Sequence, residues 1–451
     1  MARTAGSVAA ERDLIDVALG HDGARLRRSR PDLVVSGERD TTVTAALATV
    51  VGEPLTDERL RAHLDAWLGR HEAELVALRR KIHAYPELGG EERVTAALVA
   101  AQLRAARLKP RLLSGKNGVL CDVGTGDRVV ALRADLDALP LPDIKNVPYR
   151  STVEGACHAC GHDVHTTILV GAARMLAELS RAGELPGRVR LIFQPKEESL
   201  PSGAPEVIAE GGLKDVQSIY ALHCYPMLAA GYAATRTGPI TAATDTLDIR
   251  LTGPGGHTAR PHLTVDLAYA LGRIVVEVPA LLSRRLDPRA AGSLVFGAVQ
   301  VGDAHNAIAV EGHARGTVRV LDRDAWQLLP DLVPSLIRDV VAGTGAQVEI
   351  AYVRGVPPVV NDRSATAIME AAAAAALGPG RVSEAEMSMG GEDFAFYLEQ
   401  VPGTMMRLGV GRPETLGTVD LHQSSFDVDE TAIGHGVRAM VHTAVAALTA
   451  D

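Results

Sequence analysis

Eight consecutive residues, His158-Ala159-Cys160-Gly161-His162-Asp163-Val164-His165, carry three imidazoles, a thiol and a carboxylate. Thiolate, neutral imidazole and carboxylate are the side chains that bind Zn²⁺ and similar ions. Cys160 and His162 are two apart, so they can reach one ion or two adjacent ones. Glu198, His223 and His422 extend this to a mixed sulfur, nitrogen and oxygen donor set. Each has a plainer reading alone: His223 as a hydrogen-bonded core histidine, Glu198 as a solvated charge. In Glu197-Glu198 one carboxylate can bind a metal while its neighbour takes a proton from water, whose pKa a metal lowers from about 15.7 toward 7. The plainer reading of that pair is two exposed charges favoured by a helix dipole. The cluster also admits a histidine-rich surface loop, or a redox pair at Cys157-x-x-Cys160.

These residues need elements to position them. The apolar run Thr167–Leu176 follows the cluster, so the donors sit where a loop enters a helix, read over 166–179. Strands are expected at 118–123, 128–132, 188–193 and 218–222. Arg133-Ala134-Asp135-Leu136-Asp137, Gln194-Pro195-Lys196-Glu197-Glu198 and His223-Cys224 each come after one of them. Short apolar strands separated by helices predict an α/β fold, with a mostly parallel sheet flanked by helices. Such sheets bind ligands at the carboxyl ends of their strands, where these polar groups would converge.

Upstream, Thr56 reads as the N-cap of a helix carrying Leu60, Leu64, Trp67, Leu68, Leu75, Leu78 and Ile82 at helical spacing. Residues 1–55 read as an N-terminal extension of unknown role, with a short helix at Ala9–Leu19 and a basic stretch at Arg25–Arg30. Between 244 and 352 the order becomes β-α-β-β-α-β, the ferredoxin-like split unit. Pro330 and Pro334 are expected to kink or shorten its second helix. Helices at 364–377, 392–399 and 431–448 and a strand at 405–410 then resume the first rhythm. The expected organisation is a catalytic domain at 56–238 and 355–451, split by an inserted lid and dimerisation domain at 239–354.

Composition narrows the classes of function. The chain has 451 residues, 47% apolar and 22% charged, with aromatics at only 3%, so Ala, Val and Leu must fill the interior. Net charge is −9 and no basic block interleaves with aromatics, which argues against nucleic acid. Four cysteines are too few for a disulfide scaffold and suit a reducing compartment. Apolar runs at Val43–Val51 and Met369–Leu377 are too short to span a bilayer, and no basic-then-apolar leader is recognised, so a cytoplasmic location without membrane contact is expected.

The motifs at 133–140 (Arg-Ala-Asp-Leu-Asp-Ala-Leu-Pro), 158–166, 194–198, 255–262 (Gly-Gly-His-Thr-Ala-Arg-Pro-His) and 389–396 (Met-Gly-Gly-Glu-Asp-Phe-Ala-Phe) together resemble the M20 metallopeptidase family. The likeness runs from about residue 60 to the C-terminus and is to the amidohydrolase branch, with its hippurate and indole-acetyl-amino-acid hydrolases. The resemblance implies two divalent ions (Zn, Mn, Co or Ni) held by Cys160, His162, Glu198, His223 and His422, with Glu197 as general base and later acid. It implies that His257 steadies the tetrahedral oxyanion, if need be in a partner's site. It places Asn306 and Arg319 near the substrate carboxylate and makes Asp135 a residue that orients a ligand. The implied substrate is an N-acyl amino acid or short peptide, and the implied assembly a homodimer through the lid. A carboxypeptidase or dipeptidase, a silent metal-binding scaffold and a thiol–disulfide oxidoreductase are the competing readings. Lys196, Cys157 and the N-terminal extension depart from the family pattern.

Overall fold

A computed structural model of the chain describes residues 55–450. The expected helix at Ala9–Leu19, the basic stretch Arg25–Arg30 and the apolar run Val43–Val51 lie outside the described residues. The elements are α1 (Asp57–Ala84), α2 (Arg93–Ala105), β1 (Arg111–Leu112), β2 (Val119–Gly124), β3 (Val129–Asp135), α3 (His162–Arg181), β4 (Arg188–Gln194), α4 (Ala204–Ala209) and β5 (Ser218–Ala229). They continue with β6 (Ala233–Thr235), β7 (Gly238–Thr241), β8 (Ala243–Thr252), β9 (Gly256–His257), α5 (Leu267–Arg285), β10 (Ser293–Val301), β11 (Ala307–Ile308), β12 (Glu311–Val320), α6 (Arg323–Ala342) and β13 (Gln347–Val356). The last are β14 (Val359–Asn361), α7 (Arg363–Leu377), β15 (Val382–Glu384), α8 (Ala395–Leu398), β16 (Gly403–Gly411) and α9 (Thr431–Thr449).

Thr56 caps α1 as expected: its side chain accepts from the Arg59 amide, and Asp57 and Glu58 complement the dipole in the first turn. The large sheet has strand order β1-β2-β4-β3-β5-β16-β6-β15. Its centre, β4-β3-β5-β16, is parallel, and β2 runs antiparallel to β4. One core packs α1, α2, α3, α7 and α9 on one face, and a smaller core sets α4 and α8 on the other. This sandwich buries both faces of the parallel strands, which is why β3 is buried at every residue.

A second sheet has order β10-β12-β8-β13, antiparallel throughout, with α5 and α6 packed on it around a separate core. That is the strand order and pairing of the β-α-β-β-α-β unit read from the sequence. No helix among the described residues is long and apolar enough to cross a membrane.

Three local expectations are corrected. The α6 helix is not cut short by its prolines; it runs 20 residues with Pro330 and Pro334 inside it. Pro330 leaves the Trp326 carbonyl without its helical donor, and Arg354 of β13 donates to that oxygen at 3.4 Å while stacking over the Trp326 ring at 3.7 Å. His223 and Cys224 lie inside β5 rather than beyond it. The strand continues because β16 keeps pairing with it to Ala229, whereas its β3 partner stops at Ala221. The helix read from Glu392 starts only at Ala395, since Glu392 and Asp393 are drawn into ion pairs with Arg133.

Candidate metal centre

Gly161 opens the donor loop into α3. Its φ of +87° is a conformation that side-chain-bearing residues rarely adopt, and a Cβ there would sit 2.7 Å from Cys224 Sγ. That turn puts Cys160 on one side and sends His162 into the first turn of α3. Cys160 Sγ lies 3.5 Å from His223 Nε2. The His223 Nδ1–H donates to the Cys224 carbonyl at 2.8 Å, leaving Nε2 as the ring atom facing the thiol. His422 arrives from the loop after β16 with φ +60°, held by its amide on the Ala159 carbonyl at 2.8 Å. A strained backbone fixed in this way is common at functional sites.

The five donors meet. Donor atoms of Cys160, His162 and His223 lie within 4.8 Å of one another, as do those of Cys160, Glu198 and His422, and those of His162, Glu197 and Glu198. Glu198 Oε1 is 3.2 Å from His422 Nε2 and 3.8 Å from His162 Nε2. His162 Nε2 is buried without a hydrogen-bond partner. Orphaned buried polar atoms are rare and call for an occupant. Soft sulfur, imidazole and carboxylate converging on such atoms fit one or two divalent cations.

The electrostatics agree with that fit. Burial pushes the Cys160 thiol well above its ordinary pKa, and Glu198 and Glu197 add to it, so only a cation would hold the thiolate there. Burial works to lower the pKa of His162, but Asp135, Asp137 and Glu198 raise it to about 10. A proton and a cation compete for the same Nε2 lone pair, so the acids that hold one would hold the other. Burial also lifts Glu197 well above the usual carboxylate range, joined by Glu392, Glu198, Asp393 and Asp137. Glu197 Oε1 accepts from the Asp393 amide at 3.3 Å.

Asp135 and Asp137 divide the work of bracing the donors. His162 Nδ1 contacts the Asp137 carbonyl at 2.9 Å and its carboxylate at 3.3 Å, and Asp137 also accepts the Glu198 amide at 2.9 Å. Metal-binding imidazoles are oriented by such a partner on the other ring nitrogen. Asp135 instead accepts from His165 Nδ1 at 2.6 Å, and His165 Nε2 receives the Cys224 amide at 2.8 Å. It therefore steadies the backbone beside His223, with its other oxygen 3.7 Å from His162 Nε2. Sequence reading missed Asp137, Arg133 and Asp393, although the alternation Arg133-Asp135-Asp137 along a strand end puts all three on one face. Lys196 pairs with Glu206 at 3.0 Å. Cys157 is buried and lies 3.7 Å from Lys145 Nζ, and all four cysteines are free.

A cavity of about 500 Å³ opens over the donors, lined by Cys160, Glu197, Glu198, His223, His422 and Arg319 among others. Arg319 reaches it from β12, donating to Thr244 Oγ1 at 3.0 Å and the Met389 carbonyl at 2.5 Å. His257 and Asn306 are not brought to this cavity. They are exposed neighbours on the β9–β11 ribbon, where the Thr258 amide donates to the Asn306 carbonyl at 3.3 Å.

Residues 131–446 match the sequence profile of Peptidase family M20/M25/M40. An N-acetyl-L-cysteine deacetylase of Bacillus subtilis is 35% identical over 365 residues, 80% of this chain and 85% of that protein. A Rhodococcus jostii protein bearing a glutamate–cysteine ligase name is 47% identical over 373 residues; the match takes in 82% of this chain but 46% of that protein, about half its length. Among solved structures, a Bacillus subtilis dinuclear metal binding peptidase from the M20 family superposes with a TM-score of 0.73 at 32% identity, covering 85% of this chain and 99% of the other.

Proposed function

The chain belongs to peptidase family M20/M25/M40, and from that premise we propose that it is a metal-dependent amidohydrolase cleaving N-acyl amino acids or related amides. The observation that carries the reading is the gathering of Cys160, His162, Glu198, His223 and His422, with all but the buried His162 lining one cavity and Glu197 beside them as an acid left over. The five are the proposed ligands of two divalent cations. Bound there, the cations supply Lewis acidity at the scissile carbonyl and make water acidic enough to deprotonate near neutral pH.

The protein's own groups do the rest. Glu197 is the base that takes the proton of the attacking water, and then the acid that delivers it to the departing amine nitrogen. Its burial keeps the carboxyl receptive to a proton, and the Asp393 amide fixes one oxygen so that the other faces the cavity. Asp137 and Asp135 hold the donors in place. Arg319 meets the carboxylate of the amino-acid moiety.

The unit at 239–354 is proposed as an inserted lid and dimer interface, and 56–238 with 355–451 as the catalytic part. His257 and Asn306, exposed and away from the cavity of their own chain, then serve the partner subunit's site in a homodimer. There His257 faces the oxyanion that develops in the transition state. Lid closure would exclude water from the site.

Metal-reconstituted protein assayed for free amine against N-acetyl, N-benzoyl and N-indoleacetyl amino acids beside dipeptides tests the reading. Release from the acylated series at rates well above the dipeptides is expected. Dipeptide cleavage alone makes the chain a peptidase, and no release from any substrate removes the catalytic reading.

A further inference from the structure

Arg407 occupies β16 opposite His223 of β5 in the parallel pairing, so the two side chains leave the sheet on the same face. It is only 7% exposed, yet it lines the cavity with Cys160, Glu392 and His422. The other buried arginines are all tied to acids: Arg79 to Asp163 at 2.7 Å, Arg133 to Asp393 at 2.8 Å, Arg190 to Asp122 at 2.6 Å. Among the described residues, Arg407 has no carboxylate within ion-pair distance and no hydrogen bond. It stands over the Tyr225 ring at 5.9 Å, and Glu392 and Cys160 act on its charge only from beyond ion-pair distance. Glu392, which lines the same cavity, is already engaged by Arg133 at 3.1 Å.

Burying a guanidinium without a counter-charge is unfavourable, and the cost persists unless an anion arrives. Arg319, which enters the same cavity from the other sheet, likewise has no carboxylate partner there. When Arg319 takes the single carboxylate of a simple N-acyl amino acid, Arg407 is left without one.

We propose that the substrate carries two carboxylates, the second held by Arg407 on the floor of the cavity. This rests on the amidohydrolase reading and narrows it. The second carboxylate comes either from an acidic amino-acid side chain or from a dicarboxylic acyl group.

Two matched pairs separate those sources: N-acetyl-L-glutamate against N-acetyl-L-glutamine, and an N-succinyl against an N-butyryl amino acid. The wild type should favour the diacid in one pair by at least about tenfold in kcat/KM. R407M should collapse that ratio by about 10- to 100-fold, the range for losing a charged hydrogen-bonded pair, and R407K should keep part of it. Calorimetry of the same compounds on the E197Q protein should show the same Arg407-dependent preference without turnover. Equal handling of diacid and neutral partner in both pairs overturns the proposal. So does R407M lowering both members equally together with bound metal, which would make Arg407 a support for the Cys160 thiolate. If no amide is cleaved yet the diacid binds through Arg407, the hydrolase reading fails and the recognition stands.

Discussion

Glu197 and Asp137 make different contacts and predict different failures. Among the described residues Glu197 touches no imidazole nitrogen at hydrogen-bond distance, whereas Asp137 joins His162 Nδ1 to the Glu198 amide. E197Q should keep both metals and lose about 10²- to 10⁴-fold in kcat. D137N should weaken metal binding about 10- to 100-fold, the usual cost of removing a partner behind a ligand. Elemental analysis beside steady-state kinetics reads both, and near-normal turnover in E197Q would remove it as the base. Behind the centre, His83 Nδ1 and Nε2 contact Asp163 at 2.7 Å and Asp143 at 3.2 Å, and Arg79 shares Asp163. Burial opposes the charged ring, but those carboxylates raise its pKa from 6.5 to about 10. A raised histidine pKa stabilises the fold fully below 6.5 and loses that contribution as pH climbs through about 10. Unfolding free energy should therefore fall between pH 7 and 10, and the slope should flatten in H83Q. An unchanged slope in H83Q would put the charge elsewhere.

Elements succeed or fail on their junctions. The turn at Gly161 feeds Cys160 and His162 to the site, and it tolerates no Cβ because Cys224 closes over it. G161A combines a left-handed backbone penalty with a clash and should destabilise the fold by about 2 kcal/mol or more. Denaturant unfolding and metal content should fall together, and a G161A protein with full metal would mean that the turn does not set the donors. The α6 helix shows the opposite outcome, where a local rule gives way. Its prolines break the helical hydrogen bonding, but Arg354 repairs one carbonyl and the buried face of the helix supplies the rest.

At the scale of the whole molecule, the exposed His257 demands a partner if it is to act. A 1:1 mixture of E197Q and H257A subunits distinguishes the arrangements. If His257 crosses to the partner, each mixed dimer regains one complete site, and activity should recover to about a quarter of wild type. If it acts within its own chain, mixing restores nothing. Sedimentation of the wild type should show a dimer in the same buffer.

The sequence on its own determined the helix and strand rhythm and the split β-α-β-β-α-β unit, and it named the candidate donors and the acid beside them that the fold gathers. Metal ligation is bound to residue type, and apolar periodicity is local, so both are written along the chain. Tertiary structure decided what depends on meeting. It extended β5 past His223, because β16 lay alongside to pair with it. It gave Asp137 rather than Asp135 the contact with His162 Nδ1, a choice between two acids on one face that only the position of α3 could make. It kept α6 whole through a guanidinium brought from another strand. It also left Arg407 in the cavity without an acid, since the partner of a buried charge depends on which segments fold against it.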